Sequence, residues 1–183
     1  SKLIVYTSGS TGEPKAITKT LAQLDDEVQM LHRHWGAQLQ AALVVASVPC
    51  HHIYGLWFRM LWPLAAGVPF ARHTFAEPSQ TQQWRTWPAV VWIAGPAQLT
   101  RWPAWLGDDV WRDAPRLTFS SGGPLPKDAA LQCAHLVRTA RPSMPADVAH
   151  APVEVFGSTE TGGIAWRQQD RTSDWTPLDD TRD

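Results

Sequence analysis

Three features are scarce in this 183-residue sequence, and each scarcity excludes a class of protein. Two cysteines, Cys50 and Cys133, are too few for a disulfide framework, so we expect a reducing, cytoplasmic location. The net charge of −1 leaves no basic excess for nucleic acid or an anionic membrane surface. No apolar run approaches the roughly 20 residues of a membrane-spanning helix. Residues 1–3 run directly into a strand pattern, without the features of a signal peptide.

The bulk composition is that of a globular domain. A hydrophobic content of 44% and this length suffice for one domain with a sizeable core. The 11 tryptophans are unusual, but no basic stripe accompanies them, so they do not indicate stacking on nucleic acid bases. A strand pattern begins almost at residue 1, and the sequence ends in a charged, turn-like stretch. We therefore expect the chain to be part of a longer protein.

The most informative segment is Tyr-Thr-Ser-Gly-Ser-Thr-Gly-Glu-Pro-Lys, residues 6–15. Its glycines free the backbone, its hydroxyls donate or accept hydrogen bonds, and its lysine carries a full positive charge. Amides, hydroxyls and a point charge are what a loop needs to surround a polyphosphate, and we favour this over a Ser/Gly surface turn. The candidate phosphate-binding residues are Thr7, Ser8, Gly9, Ser10, Thr11, Gly12 and Lys15.

This loop differs from the Walker loop, in which lysine follows the second glycine directly and a helix begins. Here Glu13 and Pro14 intervene. The apolar or β-branched segments 2–6 and 16–20 predict two strands that the loop joins as a hairpin. We expect such a loop to be mobile and to become ordered by its ligand.

Strand and helix patterns alternate along the rest of the chain. The predicted helices cover residues 21–35 (with Thr20 as N-cap and Gly36 as terminator), 53–66, 80–87 and 127–140. The predicted strands cover residues 42–48, 68–71, 89–94, 116–119 and 153–156, and residues 141–152 form a loop. This alternation predicts an α/β fold with a mainly parallel sheet flanked by helices.

Small, hydroxylated or glycine-rich segments follow several of these strands. They are residues 49–52, 120–124 and 157–163, in addition to the phosphate-binding loop. Ligands of open α/β sheets lie beyond the carboxyl ends of the strands. The arrangement therefore predicts a nucleotide site at one edge of the sheet.

Four segments, in this order, resemble the adenylate-forming, AMP-binding enzymes: acyl- and aryl-CoA synthetases, luciferases and the adenylation domains of nonribosomal peptide synthetases. They are residues 7–15, Pro-Cys-His-His-Ile-Tyr-Gly at 49–55, Ser-Gly-Gly-Pro-Leu at 121–125 and Phe-Gly-Ser-Thr-Glu-Thr-Gly at 156–162. The first and last are the most specific. Residues 162–167 and 175–178 are similar to bacterial acyl-CoA synthetase-like ligases encoded beside fatty-acid or aryl-polyene biosynthesis proteins.

The resemblance implies part of a large N-terminal domain, with that domain's first portion and a small C-terminal domain outside this chain. It implies activation of a carboxylic acid by ATP and Mg²⁺ to an acyl-adenylate, then transfer to CoA or the phosphopantetheine arm of an acyl carrier protein. Its implied site residues are the phosphate-binding loop with Lys15, Thr159 on the α-phosphate, Glu160 on Mg²⁺ and His52 near the acid. The resemblance also implies that Phe156 stacks on adenine, that Gly122, Gly123 and Pro124 line the other side of the base, and that Gly157 and Ser158 bind the nucleotide.

The sequence departs from the family pattern in one respect, since no aspartate stands in the family's ribose-binding motif. Asp179, Asp180 and Asp183 do not occupy it. We therefore expect this chain alone not to form adenylate at a useful rate, whereas the longer protein does. The alternative is a module that binds ATP or AMP without chemistry. A phosphate-loop kinase or hydrolase is disfavoured, because the Gly-Lys-Ser/Thr order is missing.

Several further residues have simpler interpretations. His51 and His52 are expected to point apart, and neither they nor the pair His32 and His34 have a partner at zinc-ligand spacing. We expect Cys50 and Glu154 to be structural. The aromatic side chains Trp57, Phe58 and Trp62 are expected to pack within a buried helix rather than line an acid pocket.

Overall fold

A computed structural model of the chain describes residues 2–7, 15–105, 114–143 and 150–178. Along the chain the elements are β1 (Lys2–Thr7), β2 (Lys15–Thr20), α1 (Leu21–Trp35), a 3₁₀ turn (Gly36–Leu39), β3 (Ala42–Ala46), α2 (Ile53–Gly55), a π-helical segment (Leu56–Leu61), α3 (Trp62–Ala65), a 3₁₀ helix (Pro78–Trp84), β4 (Ala89–Ala94), α4 (Pro96–Trp105), β5 (Leu117–Ser120), α5 (Lys127–Ala140), β6 (Val153–Ser158), β7 (Gly162–Arg167) and β8 (Thr176–Pro177).

Six of the described strands form one sheet in the order β3-β4-β5-β6-β7-β8. The first four are parallel, and β7 and β8 continue the sheet antiparallel to their neighbours. Every residue of β3 is buried, as its unbroken apolar sequence predicts for a strand covered on both faces. The predicted α/β fold with a mainly parallel sheet is confirmed.

A separate two-stranded sheet, the β1–β2 hairpin, carries the ends of the predicted phosphate-binding loop. Its strands pair antiparallel, with Thr7 opposite Lys15 and Leu3 opposite Lys19, which confirms the predicted hairpin. Side chains of a strand alternate between faces. The inner face holds Val5 and Lys19, which are buried, and the outer face exposes residues such as Tyr6.

Helix α1 begins as the sequence predicts and ends differently. The Thr20 hydroxyl accepts a hydrogen bond from the Gln23 amide, and the Gln23 side chain accepts one from the Thr20 amide, forming a capping box. The helix ends at Trp35, but Gly36 has the right-handed φ of −59° rather than a left-handed terminating conformation. The chain therefore continues into a 3₁₀ turn instead of leaving the helix at Gly36.

An aromatic cluster fills the core on one side of the sheet. The ring of Phe119, which is fully buried on β5, has its centroid 5.2 Å from Trp35, 5.1 Å from Phe58 and 5.7 Å from Trp62. Edge-to-face and tilted arrangements of this kind are those that aromatic rings prefer. Phe119 thus joins the sheet to α1, the π-helical segment and α3.

The predicted helix over residues 53–66 is confirmed in extent, because helical conformation runs without a break from Ile53 to Ala65, but Leu56–Leu61 form a wide π-helical turn within it. Arg59 lies in that turn, and its guanidinium donates to the carbonyls of Val48 at 3.1 Å and Arg72 at 2.7 Å. The Arg59 side chain is buried. Because the segment is apolar on most sides, the spacing of its apolar residues does not distinguish a π-helical turn from an α-helix. Gly67 ends the segment with a φ of +65°.

Other elements differ from their predictions in type or extent. The predicted helix at residues 80–87 is the 3₁₀ helix Pro78–Trp84, and helix α4 was not among the predicted helices, although proline is common at the first helical position. The predicted strand at residues 42–48 ends at Ala46, and only Phe70 of residues 68–71 forms a β-bridge, to Val44.

The segment at residues 157–163 is not a plain loop. β6 extends to Ser158, and β7 begins at Gly162, so a tight turn joins two paired strands. Neither strand end was predicted, because both are rich in glycine, which is unfavourable within strands. Within the described parts of the chain, no helix has the length and apolar character that crossing a membrane requires.

We predict that Phe119→Ala lowers the free energy of unfolding by about 3–5 kcal/mol, since it removes a fully buried ring shared by three other aromatics. Urea unfolding measures the change. Leu131→Ala, at a side chain 40% exposed on α5, is the control and should change the value by about 0.5 kcal/mol or less. Equal losses from the two substitutions would contradict the central role of Phe119.

We also predict that the two thiols differ sharply in reactivity. Burial raises the pKa of Cys133 to about 12, and its Sγ lies 3.6 Å from the Leu99 carbonyl oxygen. At pH 8 this thiol stays protonated and enclosed, whereas the thiolate is the reactive form. Iodoacetamide should label Cys50 in the native chain and Cys133 only in denaturant, as measured by peptide mass spectrometry. Labelling of both at one rate would refute the burial of Cys133.

Candidate nucleotide site

The turn between β6 and β7 is braced by its own side chains. The Ser158 amide donates to the Thr161 hydroxyl at 3.1 Å, and the Thr161 amide donates to the Ser158 hydroxyl at 3.2 Å. At the base of the turn, a Cβ on Gly157 would lie 2.1 Å from the Gly162 carbonyl oxygen. Only glycine permits this approach of the two backbones. The turn therefore presents Thr159 and Glu160 in a fixed conformation.

Glu160 connects this turn to the hairpin. Its Oε1 lies 3.2 Å from Lys15 Nζ, and both side chains are well exposed. The pKa of Glu160 is lowered by a hydrogen bond from its own backbone amide and then by Lys15. An ionised, accessible carboxylate oxygen fits the requirement of Mg²⁺, which takes one or two carboxylates in addition to substrate phosphates.

A second lysine of β2, which the sequence analysis missed, also reaches Glu160. Lys19 is 4% exposed, its Nζ donates to the Glu160 carbonyl at 2.7 Å, and it lies 5.9 Å from the centroid of the Trp57 ring. Glu27 of α1, also missed, accepts a hydrogen bond from the Gly163 amide at 2.9 Å. The spacing of Lys19 could have revealed it, because residues four apart on a strand lie on the same face and Lys19 is four residues after Lys15.

The described residues bring both predicted halves of the adenine site to one cavity of about 810 Å³. Gly122, Gly123, Pro124, Phe156 and Gly157 all line this cavity, whereas Ser158 lines a smaller one. Gly122 has a φ of +87°, which favours glycine. The Phe156 side chain is 55% exposed, so it is available to a ligand rather than part of the core.

The wall of this cavity rests on a buried carboxylate, Glu154. It accepts hydrogen bonds from Arg167 Nε at 3.0 Å and Nη2 at 3.2 Å, from the Gln169 side chain at 2.5 Å and from the Leu125 amide at 3.3 Å. The guanidinium of Arg167 stacks 4.4 Å from the Trp175 ring centroid. The structural role expected for Glu154 matches this network.

Trp175 completes the wall and touches the predicted adenine-binding aromatic. Its ring centroid lies 5.6 Å from that of Phe156, and both side chains line the cavity. Trp175 belongs to the family-like segment 175–178, but no site role was predicted for it from the sequence.

A second cavity, of about 150 Å³, lies between the π-helical segment and the β6–β7 turn. Trp57 and Phe58 line it, but both are also buried in the core together with Trp62, so the packing predicted for all three is confirmed. Ser158 and Thr159 form part of the opposite wall. The remaining lining residues are Glu27, Ile53, Tyr54, Ser121, Gly122, Val155, Gly157, Gly162 and Gly163.

His52 is exposed and does not line either cavity, although its neighbour Ile53 lines the smaller one. The expectation that His51 and His52 point apart is wrong, because their ring centroids are 4.4 Å apart. In the described ranges, no three His, Cys, Asp or Glu side chains form a group able to hold a metal ion. The role predicted for His52 stays a prediction.

The predicted phosphate-binding residues Ser8, Gly9, Ser10, Thr11 and Gly12 lie outside the described residues. Their flanks are described: the Thr7 hydroxyl donates to the Lys15 carbonyl at 3.5 Å across the hairpin. The two residues that flank the undescribed part of the loop, Thr7 and Lys15, are therefore in contact with each other, and Lys15 also contacts Glu160.

A profile described as "AMP-binding enzyme" matches residues 2–181. The chain belongs to the AMP-binding enzyme family. It is 31% identical to a 4-coumarate–CoA ligase of Halorhodospira halophila, covering 100% of this chain and 40% of that protein. It is 29% identical to a 2-succinylbenzoate–CoA ligase of Geobacillus kaustophilus, covering 71% of this chain and 26% of that protein. This family member thus spans well under half the length of these relatives.

Solved structures give the same fold for this AMP-binding family member. The crystal structure of ATP-bound MatB from Rhodopseudomonas palustris is similar with a TM-score of 0.71 and 25% identity, over 95% of this chain and 32% of that chain. A malonyl-CoA ligase in a ternary product complex with methylmalonyl-CoA and AMP has a TM-score of 0.72 and 24% identity, over 91% of this chain and 35% of that one.

We predict that Gly157→Ala destabilises the protein by about 1–3 kcal/mol, because the added methyl group meets the Gly162 backbone, which has no room to yield. Gly123→Ala is the matched control, since it lines the same cavity and its Cβ would be 3.8 Å from the nearest atom, on Pro96. Thermal unfolding measures both. A Gly157→Ala protein as stable as Gly123→Ala would show that the strands do not approach so closely.

Proposed function

We propose that the longer protein containing this chain activates a carboxylic acid, acyl or aryl, with MgATP to give an acyl-adenylate and pyrophosphate. The activated acyl group is then transferred to the thiol of CoA or of a phosphopantetheine carrier, in the cytoplasm. The observation that carries this proposal is the 3.2 Å contact between Lys15 and Glu160, which joins two family motifs 145 residues apart. In support of the proposal, the phosphate-binding candidate Lys15 contacts the metal-binding candidate Glu160, and the neighbouring Thr159 lines the smaller cavity.

In the proposed reaction, a carboxylate oxygen of the acid attacks the α-phosphorus of ATP. The bond from that phosphorus to the bridging oxygen breaks, and its electron pair leaves with pyrophosphate. Both reactants are anionic, so positive groups have to offset the charge before they meet. Bound Mg²⁺ would supply Lewis acidity to the phosphates and is held through Glu160.

The residues of the chain divide this work. Lys15 and the phosphate-binding loop hold the β- and γ-phosphates and the leaving pyrophosphate, and the Thr159 hydroxyl donates to the α-phosphate. Adenine lies in the 810 Å³ cavity between Phe156 and the 122–124 segment. The acid lies in the 150 Å³ cavity, which Thr159 also lines.

The size of the second cavity favours a small acid. An engineered protein cavity of about 150 Å³ accepts benzene, so a single aromatic ring or a short acyl chain is the expected occupant. Two of the relatives are named for acids with one ring, 4-coumarate and 2-succinylbenzoate. We propose that an acid of this size, rather than a long-chain fatty acid, is the substrate.

The test is exchange of labelled pyrophosphate into ATP by the full-length protein with a panel of aryl, short acyl and long acyl acids. We predict exchange with at least one small acid, and a fall of about 100-fold in Lys15→Met and in Glu160→Gln, because each removes charge stabilisation at the phosphates. Lys127→Met, an exposed lysine at the start of α5, is the matched control and should retain the wild-type rate.

Two results would change the proposal. Tight nucleotide binding without exchange for any acid would favour the alternative, a non-catalytic ATP- or AMP-binding module. Exchange only with long acyl acids would support activation and contradict the small-acid assignment. Thioester formation with CoA and with a phosphopantetheine-loaded carrier, measured side by side, identifies the acceptor.

A further inference from the structure

We propose that Lys19 is a positioning residue, which fixes the main chain of Glu160 so that the Glu160 carboxylate can exchange Lys15 for the cation of bound MgATP. The inference rests on the proposed function, because it assigns a role within the same site. It concerns a residue that none of the family-like segments contains, since Lys19 lies beyond the phosphate-binding loop on β2.

Two lysines on one strand hold different parts of one glutamate. Lys15 and Lys19 lie four residues apart on the inner face of β2, so their Cα atoms are about 13 Å apart along the strand. Their side chains converge: Lys15 Nζ contacts the Glu160 carboxylate at 3.2 Å, and Lys19 Nζ donates to the Glu160 carbonyl at 2.7 Å. The hairpin therefore holds both the side chain and the backbone of Glu160.

The two contacts differ in how easily they are exchanged. The Lys15 and Glu160 side chains are 65% and 47% exposed, and exposed ion pairs contribute little free energy. Incoming phosphates can take Lys15 and release the carboxylate at small cost. Lys19 is 4% exposed, so its hydrogen bond does not compete with water and persists during that exchange.

A buried ammonium group is costly to desolvate unless polar partners surround it. Here its partners are the Glu160 carbonyl and the face of Trp57. A methionine would occupy the same space without the desolvation cost. A buried charge at this position is therefore better explained by a need to hold the turn than by stability alone.

The surroundings of Lys19 argue against a role in capturing an anion directly. The cavity of about 130 Å³ that it lines also has Asp26, Glu27 and Glu160 in its wall. These carboxyl groups offset the charge of Lys19 and would repel an anion. Glu27 also holds this region of the chain, because it accepts a hydrogen bond from the Gly163 amide. Lys19 therefore acts on the protein's own backbone.

The proposal predicts a defect that depends on magnesium. Residues that orient a metal ligand typically change metal affinity by about 10–100-fold when they are replaced. In the full-length protein, Lys19→Met should weaken binding of MgATP at least about 10-fold by calorimetry. Binding of ATP in EDTA and of AMP should stay within about twofold of wild type, because neither uses the cation at Glu160.

Two further variants complete the experiment. Lys19→Arg keeps a donor for the Glu160 carbonyl and should recover most of the MgATP affinity. Lys2→Met, at an exposed lysine of the same hairpin, should bind all three ligands like wild type. If Lys19→Met does not fold, the comparison of MgATP with AMP is made on Lys19→Gln, which is uncharged and shorter than lysine, and a selective loss of MgATP affinity in that variant supports the proposal.

Two results would overturn the inference while leaving the proposed function intact. One is an equal loss of affinity for MgATP, magnesium-free ATP and AMP in the Lys19 variants, which would indicate general loosening of the fold. The other is wild-type MgATP affinity in Lys19→Met. Wild-type protein that binds no MgATP at all would instead contradict the proposed function.

Discussion

The described structure around the larger cavity depends on one buried carboxylate, that of Glu154. Its hydrogen bonds tie β6 to Arg167 of β7, to the Gln169 side chain and to the Leu125 amide. A carboxylate buried without partners costs several kcal/mol, and loss of one partner from a buried pair costs about 3–5 kcal/mol. The ion pair between Glu154 and Arg167 therefore connects β6, the last parallel strand, to the antiparallel strand β7. Arg167 also stacks on the ring of Trp175, so the hydrogen bonds of Glu154 help to position an aromatic side chain of the cavity wall.

The smaller cavity follows from a different constraint, the packing of aromatic rings against β5. Phe119 holds Phe58 from one side, and the π-helical turn places Trp57 one position earlier against Lys19. The two rings of this segment, Trp57 and Phe58, therefore belong to the core and line the cavity at the same time. The aromatic core and the site share side chains, so a change in one is transmitted to the other.

Much of this arrangement was predictable, and the exceptions have identifiable causes. The buried strands and α1 follow from apolar runs and a capping box, because burial and periodicity leave direct marks in sequence. The π-helical turn could not be predicted from the sequence, because its segment is apolar on most sides and Arg59 is the one polar residue within it. Lys19 and Glu27 were missed because their partners are backbone groups of the turn after β6, and a backbone partner has no sequence signature.

The contacts that hold the β6–β7 turn against the hairpin and α1 join distant parts of the chain. Lys15 and Lys19 reach Glu160 across 145 and 141 residues, and Glu27 reaches Gly163 across 136. During synthesis, the hairpin leaves the ribosome long before the turn that it holds exists. Contacts of such sequence separation form late and slow folding, because closing a long loop costs entropy before any contact forms. A nascent chain therefore has the parallel strands β3, β4 and β5 available for pairing before β6 and the turn with Glu160 are synthesised, so the lysines contact their glutamate only after most of the parallel sheet can form.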